Sequence, residues 1–503
     1  MTETTEKGDY VHIDKFDRAY ANKVMLILAG MVMTVMYVEG MLTPSLPTIT
    51  QDFNVSASQG SLILAMYMVG GVAATPILGK LGDLYGKKLI MVITLGVYAV
   101  AVSVTGFSPN FEFMIVSRTI QGVGMAVMPL GMALVREEFP KELIPRAQAV
   151  ISAMFGAGFA VSLPLGSLVS NDYGWRWTYH SAIPVVAILL VISLIVIKES
   201  RFRKPHVKVD AIGAGILAVS LSLIILALSE GQVWGWVSLN TIAFATVGLA
   251  MFIPLILYEL RYTRKGGEAI LNFRLLSIRN VMVANIALTA AGAGMFLSMF
   301  ALTYRFAYDF QDSIWVTGIS LIPFALGTII FGPLAGVLVT RTGVKPLSIA
   351  GALVTAAGFM LQATLPGYNG VLIFEFVCGA GLSLINATVI NLIVLTVNPR
   401  DMGLATAMNG TFRSLGSSIG APVAGSLIAT YTTTSLMQGP RGILVPVVIP
   451  AGTAFYYSFV IAALVFVATA LLMPLSREIL GRGRKPRQVY GDRPRADVAA
   501  GPE

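Results

Sequence analysis

The sequence Gly79-Lys80-Leu81-Gly82-Asp83-Leu84-Tyr85-Gly86-Lys87-Lys88 is a short, charged turn between two long apolar runs. Its glycines, at positions 79, 82 and 86, allow helix ends and a tight loop to approach where a Cβ atom would clash. Asp83 and the lysines cannot sit in hydrocarbon. The turn is therefore predicted to lie at a membrane surface.

The composition is that of a polytopic membrane protein. Of its 503 residues, 55% are hydrophobic and only 12% are charged, whereas a soluble domain carries about 25% charged residues. The only cysteine, Cys378, lies in an apolar run, so no disulfide, metal site or other cofactor is expected. A polar tail of about 20 residues precedes the first apolar run and lacks the features of a cleaved signal peptide.

Fourteen stretches are apolar over about the 20 residues that a spanning helix needs. They are 22–44, 60–80, 89–108, 111–134, 149–170, 180–198, 211–229, 239–259, 281–303, 316–338, 347–365, 370–395, 403–429 and 452–474. With the N-terminus placed in the cytoplasm, 30 of the 35 Lys and Arg residues fall on the cytoplasmic side, as the positive-inside rule requires. We therefore predict a cell-membrane protein with both termini cytoplasmic, and its net charge of +9 needs no nucleic-acid partner.

A weak internal repeat relates two halves of the chain. A shift of 257 residues aligns Pro76 with Pro333, Gly79 with Gly336, Gly86 with Gly343, and Lys88 with Lys345. The second copy, with Arg341 and Lys345, lacks the acid of the first. Paired halves of this kind are typical of transporters, whose substrate site lies between them near the membrane midplane. Helices 7 and 8 have no counterpart, which predicts an all-α arrangement of six plus two plus six helices.

The predicted organisation has five parts. They are a cytoplasmic tail (1–21), a six-helix bundle (22–198), two inserted helices with cytoplasmic linkers (199–280), a second six-helix bundle (281–474) and a basic cytoplasmic tail (475–503). The basic tail is expected to be disordered and to face lipid.

Four charged side chains lie deep inside predicted spans, away from their ends: Glu39 in helix 1, Arg118 in helix 4, Glu375 in helix 12 and Arg413 in helix 13. A membrane-embedded arginine costs at least ~2.5–3.5 kcal/mol and needs a partner or a wet cavity. A buried carboxylate can exchange protons near neutral pH or neutralise a cationic substrate. We predict that these four residues bind protons or substrate. Structural ion pairs or hydrogen bonds, or an idle solvated position for Glu39, are the alternatives.

The same 257-residue shift places Glu375 at the repeat position of Arg118, which suggests that the two residues act together. Arg118 is expected to tune the protonation of both glutamates. Glycine and proline within helices 5 and 13 allow close crossing and local kinking. The predicted hinge residues are Gly158, Pro164, Gly166, Gly416, Gly420 and Pro422.

The turn that follows helix 2 resembles the corresponding loop of the major facilitator superfamily of secondary transporters. Arg118-Thr119-Ile120-Gln121-Gly122-Val123-Gly124 resembles the superfamily's helix-4 motif, which is tied to proton coupling and state switching. The resemblance implies the major facilitator fold and a conformational latch. The latch residues would be Gly79, Gly82, Asp83, Gly86, Lys87 and Lys88, with Asp83 capping a helix or pairing with a basic residue across the cytoplasmic face.

Three further motifs resemble the fourteen-helix drug:proton antiporter branch. They are Trp175-Arg176-Trp177, Asp210-x-x-Gly213, and Glu230-Gly231-Gln232-Val233-Trp234-Gly235-Trp236, and Arg413 with Gly416 and Gly420 adds to them. Two features depart from the branch. Helix 5 reads Ser162-Leu163-Pro164-Leu165-Gly166-Ser167 where antiporters have Gly-Pro-x-x-Gly-Gly, and Glu39 lies eight residues before Pro47 where members have an aspartate nine before.

The sequence thus predicts a monomeric, proton-coupled exporter of amphipathic or cationic drugs that works by alternating access. Its partners would be a small-molecule substrate, protons and membrane lipids. A dedicated exporter of a lipid, antibiotic or metabolite, a facilitator or importer, and a non-transporting membrane sensor are the alternatives. An enzyme is not expected, since no phosphate-binding glycine loop precedes a soluble domain.

Overall fold

The computed structural model describes residues 17–140, 143–199, 203, 209–267, 269–365, 367–398, 401–438 and 444–478. Most of both predicted tails (1–16 and 479–503) lies outside the described residues. In the described part, thirteen helices are long and apolar enough to cross a membrane. With the more polar α13, the long helices are α1 (Arg18–Asp52), α2 (Ala57–Tyr85), α3 (Lys87–Gly106), α4 (Phe111–Glu138), α5 (Arg146–Tyr173), α6 (Trp175–Val196), α7 (Ala211–Trp234), α8 (Leu239–Arg264), α9 (Arg279–Tyr308), α10 (Ile314–Thr342), α11 (Val344–Thr364), α12 (Tyr368–Thr396), α13 (Met402–Thr430) and α14 (Gly452–Leu475).

Helix α13 accounts for the fourteenth predicted span. It is 29 residues long, but its apolar residues alternate with serine, threonine, glycine and the charged Arg413. These small residues lower its hydropathy and let it lie close to α9. We therefore group α13 with the other long helices because of its length and its packing against α9, and not because of its hydropathy.

The tight turns of the two halves have the same backbone form. Gly86, between α2 and α3, has a φ of +111°, and Gly343, between α10 and α11, has a φ of +93°. These are left-handed conformations that a side chain disfavours. The repeat seen in the sequence is thus present in the structure, and we call the end of the molecule that carries these two turns the basic end and the other the opposite end.

Close helix crossings organise both halves. A Cβ atom at Gly158 or Gly166 of α5 would clash with the carbonyl oxygens of Met33 and Met41 in α1. In the second half, Gly416 and Gly420 of α13 lie equally close to the carbonyl oxygens of Thr289 and Ala293 in α9. Pro164 and Pro422 lie inside α5 and α13, and both helices continue past them.

Enlarging a glycine at one of these crossings should destabilise the fold. In Gly158→Val the side chain would meet the α1 backbone, which cannot rotate away, so we expect a loss of about 1–3 kcal/mol. Gly156, in the same helix, faces open space, and Gly156→Val is the matched control. Thermal unfolding in detergent measures both, and equal melting temperatures for the two variants would contradict the close-crossing role.

A β-hairpin between α13 and α14 departs from the all-helical prediction. Strand β1 (Thr432–Gln438) pairs antiparallel with β2 (Leu444–Pro450), in a register that runs from Thr432 opposite Pro450 to Gln438 opposite Leu444. The strands are rich in threonine, valine and isoleucine, residues that favour extended structure. The hairpin lies at the opposite end, where it joins two helix ends rather than crossing the bundle.

The two halves meet at the opposite end. The hydroxyls of Thr50 and Tyr304 are 3.1 Å apart, and the Gln51 amide donates to the Tyr308 hydroxyl over 2.9 Å. Burial raises the pKa of the Asp312 carboxyl at this end, although a hydrogen bond with Tyr368 opposes the rise. The two halves are therefore in direct contact at the opposite end.

Candidate functional site

Three of the four predicted intramembrane charges interact electrostatically with each other. Glu39 of α1 is 7% exposed. The two cations that interact electrostatically with its carboxylate are Arg118 of α4 and Arg413 of α13. Because α1 and α4 belong to the first half and α13 to the second, this cluster joins the two halves.

Arg118 is fully buried and is held in place by the first half. Its Nε donates to the carbonyl oxygen of Ile63 over 3.1 Å, and its Nη1 donates to Oε1 of Gln121 over 3.0 Å. The guanidinium carbon lies 4.7 Å from the centre of the Tyr67 ring. Among the described residues, Nη2 has no hydrogen-bond partner. The arginine is thus oriented on one side and has a donor to spare on the other.

The spacing of the Arg-x-x-Gln motif follows from this geometry. Residues three apart lie on the same face of a helix, so Gln121 is placed to hold Arg118. The Gln121 amide nitrogen in turn donates to Thr105 Oγ1 over 2.5 Å and to the carbonyl oxygen of Ala101 over 3.2 Å. Helix α3 therefore fixes Gln121, and Gln121 fixes Arg118.

Three buried tyrosines surround the cluster, and the sequence reasoning missed them. Tyr67 of α2, Tyr98 of α3 and Tyr179 of α6 are each fully buried. All three interact electrostatically with Arg118. The hydroxyls of Tyr67 and Tyr179 have no hydrogen-bond partner among the described residues. A tyrosine inside an otherwise aliphatic span could have indicated a polar site, because a buried hydroxyl usually has a polar partner.

Glu375 lies apart from this cluster. It is fully buried in α12, and neither carboxylate oxygen has a hydrogen-bond partner in the described part of the chain. Cys378, one turn away, is its ionisable neighbour in the part of the chain that the structure describes. The suggested joint action of Arg118 and Glu375 is therefore not seen. Equivalent positions of a repeat occupy equivalent places in separate bundles, which does not bring them into contact.

The charged turn is tied to its own half. The Lys87 ammonium lies 2.5 Å from the Glu137 carboxylate of α4 and 3.5 Å from Asp83, one helical turn earlier. Lys88 donates to the carbonyl oxygen of Leu194 in α6 over 2.9 Å. Asp83 thus pairs within the turn rather than across the basic face. The sequence reasoning missed Glu137. Its position beside a loop at the basic end could have indicated that it pairs with a lysine of the turn.

The second copy of the turn does have an acid, supplied from elsewhere in the chain. The backbone amides of Val344 and Lys345 donate to the Glu478 carboxylate over 3.1 and 2.9 Å. Lys345 also donates to the carbonyl oxygen of Pro474 over 2.8 Å. A carboxylate at a helix N-terminus is favourable because of the exposed amides and the helix dipole. The second copy of the motif has no acid of its own, and Glu478 supplies one from a distant part of the chain.

Removing Lys87 should destabilise the first turn. Lys87→Met would leave the nearly buried Glu137 carboxylate without its lysine, and breaking a buried pair in this way costs about 3 kcal/mol or more. Lys88→Met is the matched control, because its ammonium, at a more exposed position, bonds a carbonyl oxygen and no carboxylate among the described residues. We expect a loss below about 1 kcal/mol there. A similar drop in melting temperature for both variants would refute the pairing.

The branch motifs lie at helix junctions. Trp175 Nε1 donates to Asp52 over 2.7 Å, and Arg176 lies 3.4 Å from the same carboxylate, so this motif joins α6 to the end of α1. Glu230 of α7 accepts from the Gln59 amide of α2 with both oxygens, each at 3.2 Å. The inserted helices are therefore attached to the first half at the opposite end.

Comparison with known proteins places the chain in a family. The profile described as the Major Facilitator Superfamily matches residues 28–287 and 282–490. The chain belongs to the Major Facilitator Superfamily. Its long apolar helices make it a multi-pass membrane protein, and the fourteen-helix drug:proton branch fits the names of its relatives.

Curated relatives include proteins of drug resistance. The chain is 26% identical over 404 residues to multidrug resistance protein 3 of Bacillus subtilis, covering 77% of each protein. It is 25% identical over 389 residues to the tetracenomycin C resistance and export protein of Streptomyces glaucescens, covering 76% of this chain and 71% of that one. An uncharacterized MFS-type transporter of Mycobacterium tuberculosis is 28% identical over 414 residues, and the match spans only 59% of its length.

Solved structures share the fold of this transporter. The human organic anion transporter MFSD10 has a TM-score of 0.60 at 14% identity, with 90% of this chain and 99% of that one covered. The xylose transporter XylE from E. coli, in a partially occluded inward-open conformation, has a TM-score of 0.61 at 14% identity, with 92% and 99% covered. At this identity the likeness concerns the fold alone.

Proposed function

We propose that this transporter is a proton-coupled exporter of amphipathic compounds, cationic drugs among them, that works as a monomer by alternating access. The observation that carries the proposal is the buried cluster of Glu39, Arg118 and Arg413, which spans the two halves. Relatives named for multidrug resistance and for tetracenomycin C export support the export of amphipathic compounds.

Glu39 is the group best placed to couple protons to movement. Its charge balances part of the charge of the two arginines, and it retains slight exposure through which water can reach it. Protonation would leave Arg118 and Arg413 without that counter-charge, and like charges repel more strongly where water is scarce. Because the arginines come from different halves, stronger repulsion between them favours a different relative position of the two halves.

The shape of the structure supports the export direction. The halves are in contact at the opposite end, where Thr50 meets Tyr304 and Gln51 donates to Tyr308. Under the positive-inside rule the basic end faces the cytoplasm. This state would accept substrate from the cytoplasm and the inner leaflet. Helices α1–α6 would then rock against α9–α14, with the latch turn releasing at the basic end.

The charges of the site also define the main alternative. Nη2 of Arg118 has no hydrogen-bond partner among the described residues, so an acidic or zwitterionic substrate would find a donor in this cluster. A dedicated exporter of one antibiotic or metabolite would have the same fold and coupling. The helix-5 sequence, which departs from the antiporter pattern, keeps a facilitator as a further candidate.

The number of protons exchanged per substrate molecule limits the concentration gradient that such an exporter can maintain. One proton driven by about 100 mV and one pH unit carries roughly 2.3 plus 1.4 kcal/mol. Exchanged one for one against a monovalent cation, the electrical terms cancel, and about 1.4 kcal/mol supports roughly a tenfold gradient. A second proton raises the driving force to roughly 5 kcal/mol, or several thousandfold. Glu375, buried and separate from Glu39, is the candidate for that second proton.

The test uses purified protein in proteoliposomes with an imposed pH gradient. Two fluorescent probes of similar size are compared, a lipophilic cation and an organic anion. We expect gradient-driven accumulation of at least one probe, abolished by a protonophore, and a counterflow of protons measured with an entrapped pH dye. Transport that is indifferent to the pH gradient for both probes would overturn proton coupling. Accumulation of the anion alone would favour the dedicated-exporter alternative.

A further inference from the structure

Two buried carboxyl groups lie at the basic end of the inserted helices, away from the central cluster. Asp210 precedes α7 and is 4% exposed, and Glu259, in the last turns of α8, is fully buried. Oδ1 of Asp210 accepts from the Gly213 amide over 2.9 Å. Oε1 of Glu259 accepts from the Leu271 amide over 3.4 Å. Each carboxyl group thus has one oxygen satisfied by the backbone.

The remaining oxygens have no partner. Oδ2 of Asp210 and Oε2 of Glu259 have no hydrogen bond in the described part of the chain. The two buried carboxyl groups are nevertheless close enough to interact with each other, and Tyr258 interacts with Asp210 as well. Within the described ranges, the titratable neighbours of the pair are the stacked tyrosines Tyr258 and Tyr262, whose ring centres are 5.7 Å apart. The Tyr262 hydroxyl also has no partner among the described residues.

This arrangement requires something positive between the carboxyl groups. Two buried carboxylates in contact cannot both be ionised, as the shared-proton pairs of other proteins demonstrate. A bound metal ion would need about six oxygen ligands. Two carboxylate oxygens and a phenol do not supply that number. A single proton needs only the two facing oxygens that the structure offers.

We propose that Asp210 and Glu259 bind one proton between them, and that this shared proton fastens the start of α7 to the end of α8. The site is separate from the Glu39 cluster and does not depend on the proposed transport function. Loss of the proton would place two negative charges in contact in a buried site, so the junction would loosen as the pH at the basic end rises.

The experiment compares thermal unfolding of the full-length protein in detergent from about pH 6 to about pH 9. This range covers the pKa values that buried carboxyl groups can reach. Asp210→Asn keeps the Oδ1 acceptor for Gly213 and gives an N–H that donates permanently to ionised Glu259. Asp17→Asn is the matched control, because Asp17 caps α1 in the same way, accepting from the Tyr20 amide over 3.0 Å, but is exposed. Glu259→Gln tests the other partner.

We expect the melting temperatures of wild type and Asp17→Asn to fall as the pH rises, relative to Asp210→Asn, by about 2 °C or more at the alkaline end. The infrared band of a protonated carboxyl group should also diminish in Asp210→Asn and in Glu259→Gln at neutral pH. This spectroscopic result does not require equal stability of the variants.

Identical pH profiles of wild type and Asp210→Asn, with no change in the infrared band, would overturn the proposal. So would a rise in the wild-type melting temperature on adding sodium or potassium chloride that is absent in Asp210→Asn, because a metal cation would then occupy the site.

Discussion

Glu39→Gln should abolish pH-gradient-driven transport, with initial rates about 100-fold or more below wild type, a change of about 2.7 kcal/mol in the barrier. Glutamine matches glutamate in shape but cannot release a proton. Its neutral amide also leaves Arg118 and Arg413 permanently without the counter-charge that Glu39 supplies. The variant should therefore resemble a protein locked in the protonated state.

The measurement is accumulation in proteoliposomes, with folding checked by gel filtration and thermal unfolding. Glu112→Gln is a matched control, because Glu112 is exposed in the first turn of α4, and it should transport at the wild-type rate. If Glu375 carries a second proton, Glu375→Gln should lower the final accumulation ratio while transport still responds to the gradient. Gradient-driven accumulation by Glu39→Gln at the wild-type level would exclude Glu39 as the coupling acid.

Arg118→Met should impair both transport and stability. It removes a fully buried guanidinium that bonds Ile63 and Gln121 and balances Glu39. Leaving one partner of a buried charge pair alone costs about 3–5 kcal/mol. Arg118→Lys should also be deficient, because an ammonium cannot reproduce the planar fork that reaches both acceptors. Arg136→Met, an exposed position at the end of the same helix, is the control.

The double variant Glu39→Gln/Arg118→Met separates pairing from simple packing. If the two side chains stabilise each other, the double variant should recover part of the stability lost in Arg118→Met. The interaction free energy in the double-mutant cycle would then be about 0.5–3 kcal/mol. Unfolding in detergent and proteoliposome transport are measured on all four proteins. Additive losses of stability would show that Glu39 and Arg118 act independently, and would remove the electrostatic basis of the proposed coupling.

The sequence by itself determined the class of protein and most of the fold. Apolar runs of spanning length predict which segments cross the lipid bilayer. The distribution of lysine and arginine predicts on which side of the membrane each loop lies. Glycines such as Gly158 and Gly416 marked the close crossings because only a missing Cβ permits backbones to touch there. The spacing of Arg118 and Gln121 also carried local information, since one helical turn brings them together.

Only the tertiary structure decided which of these residues meet. Hydropathy and helical period say which face of a helix is buried but not which face of another helix it contacts. Glu39, Arg118 and Arg413 are therefore a cluster only once α1, α4 and α13 are packed. The same limit explains the missed tyrosines, the isolation of Glu375 and the Glu478 carboxylate at the second turn. The contact of Asp210 with Glu259 likewise exists only because two helix ends far apart in sequence lie side by side.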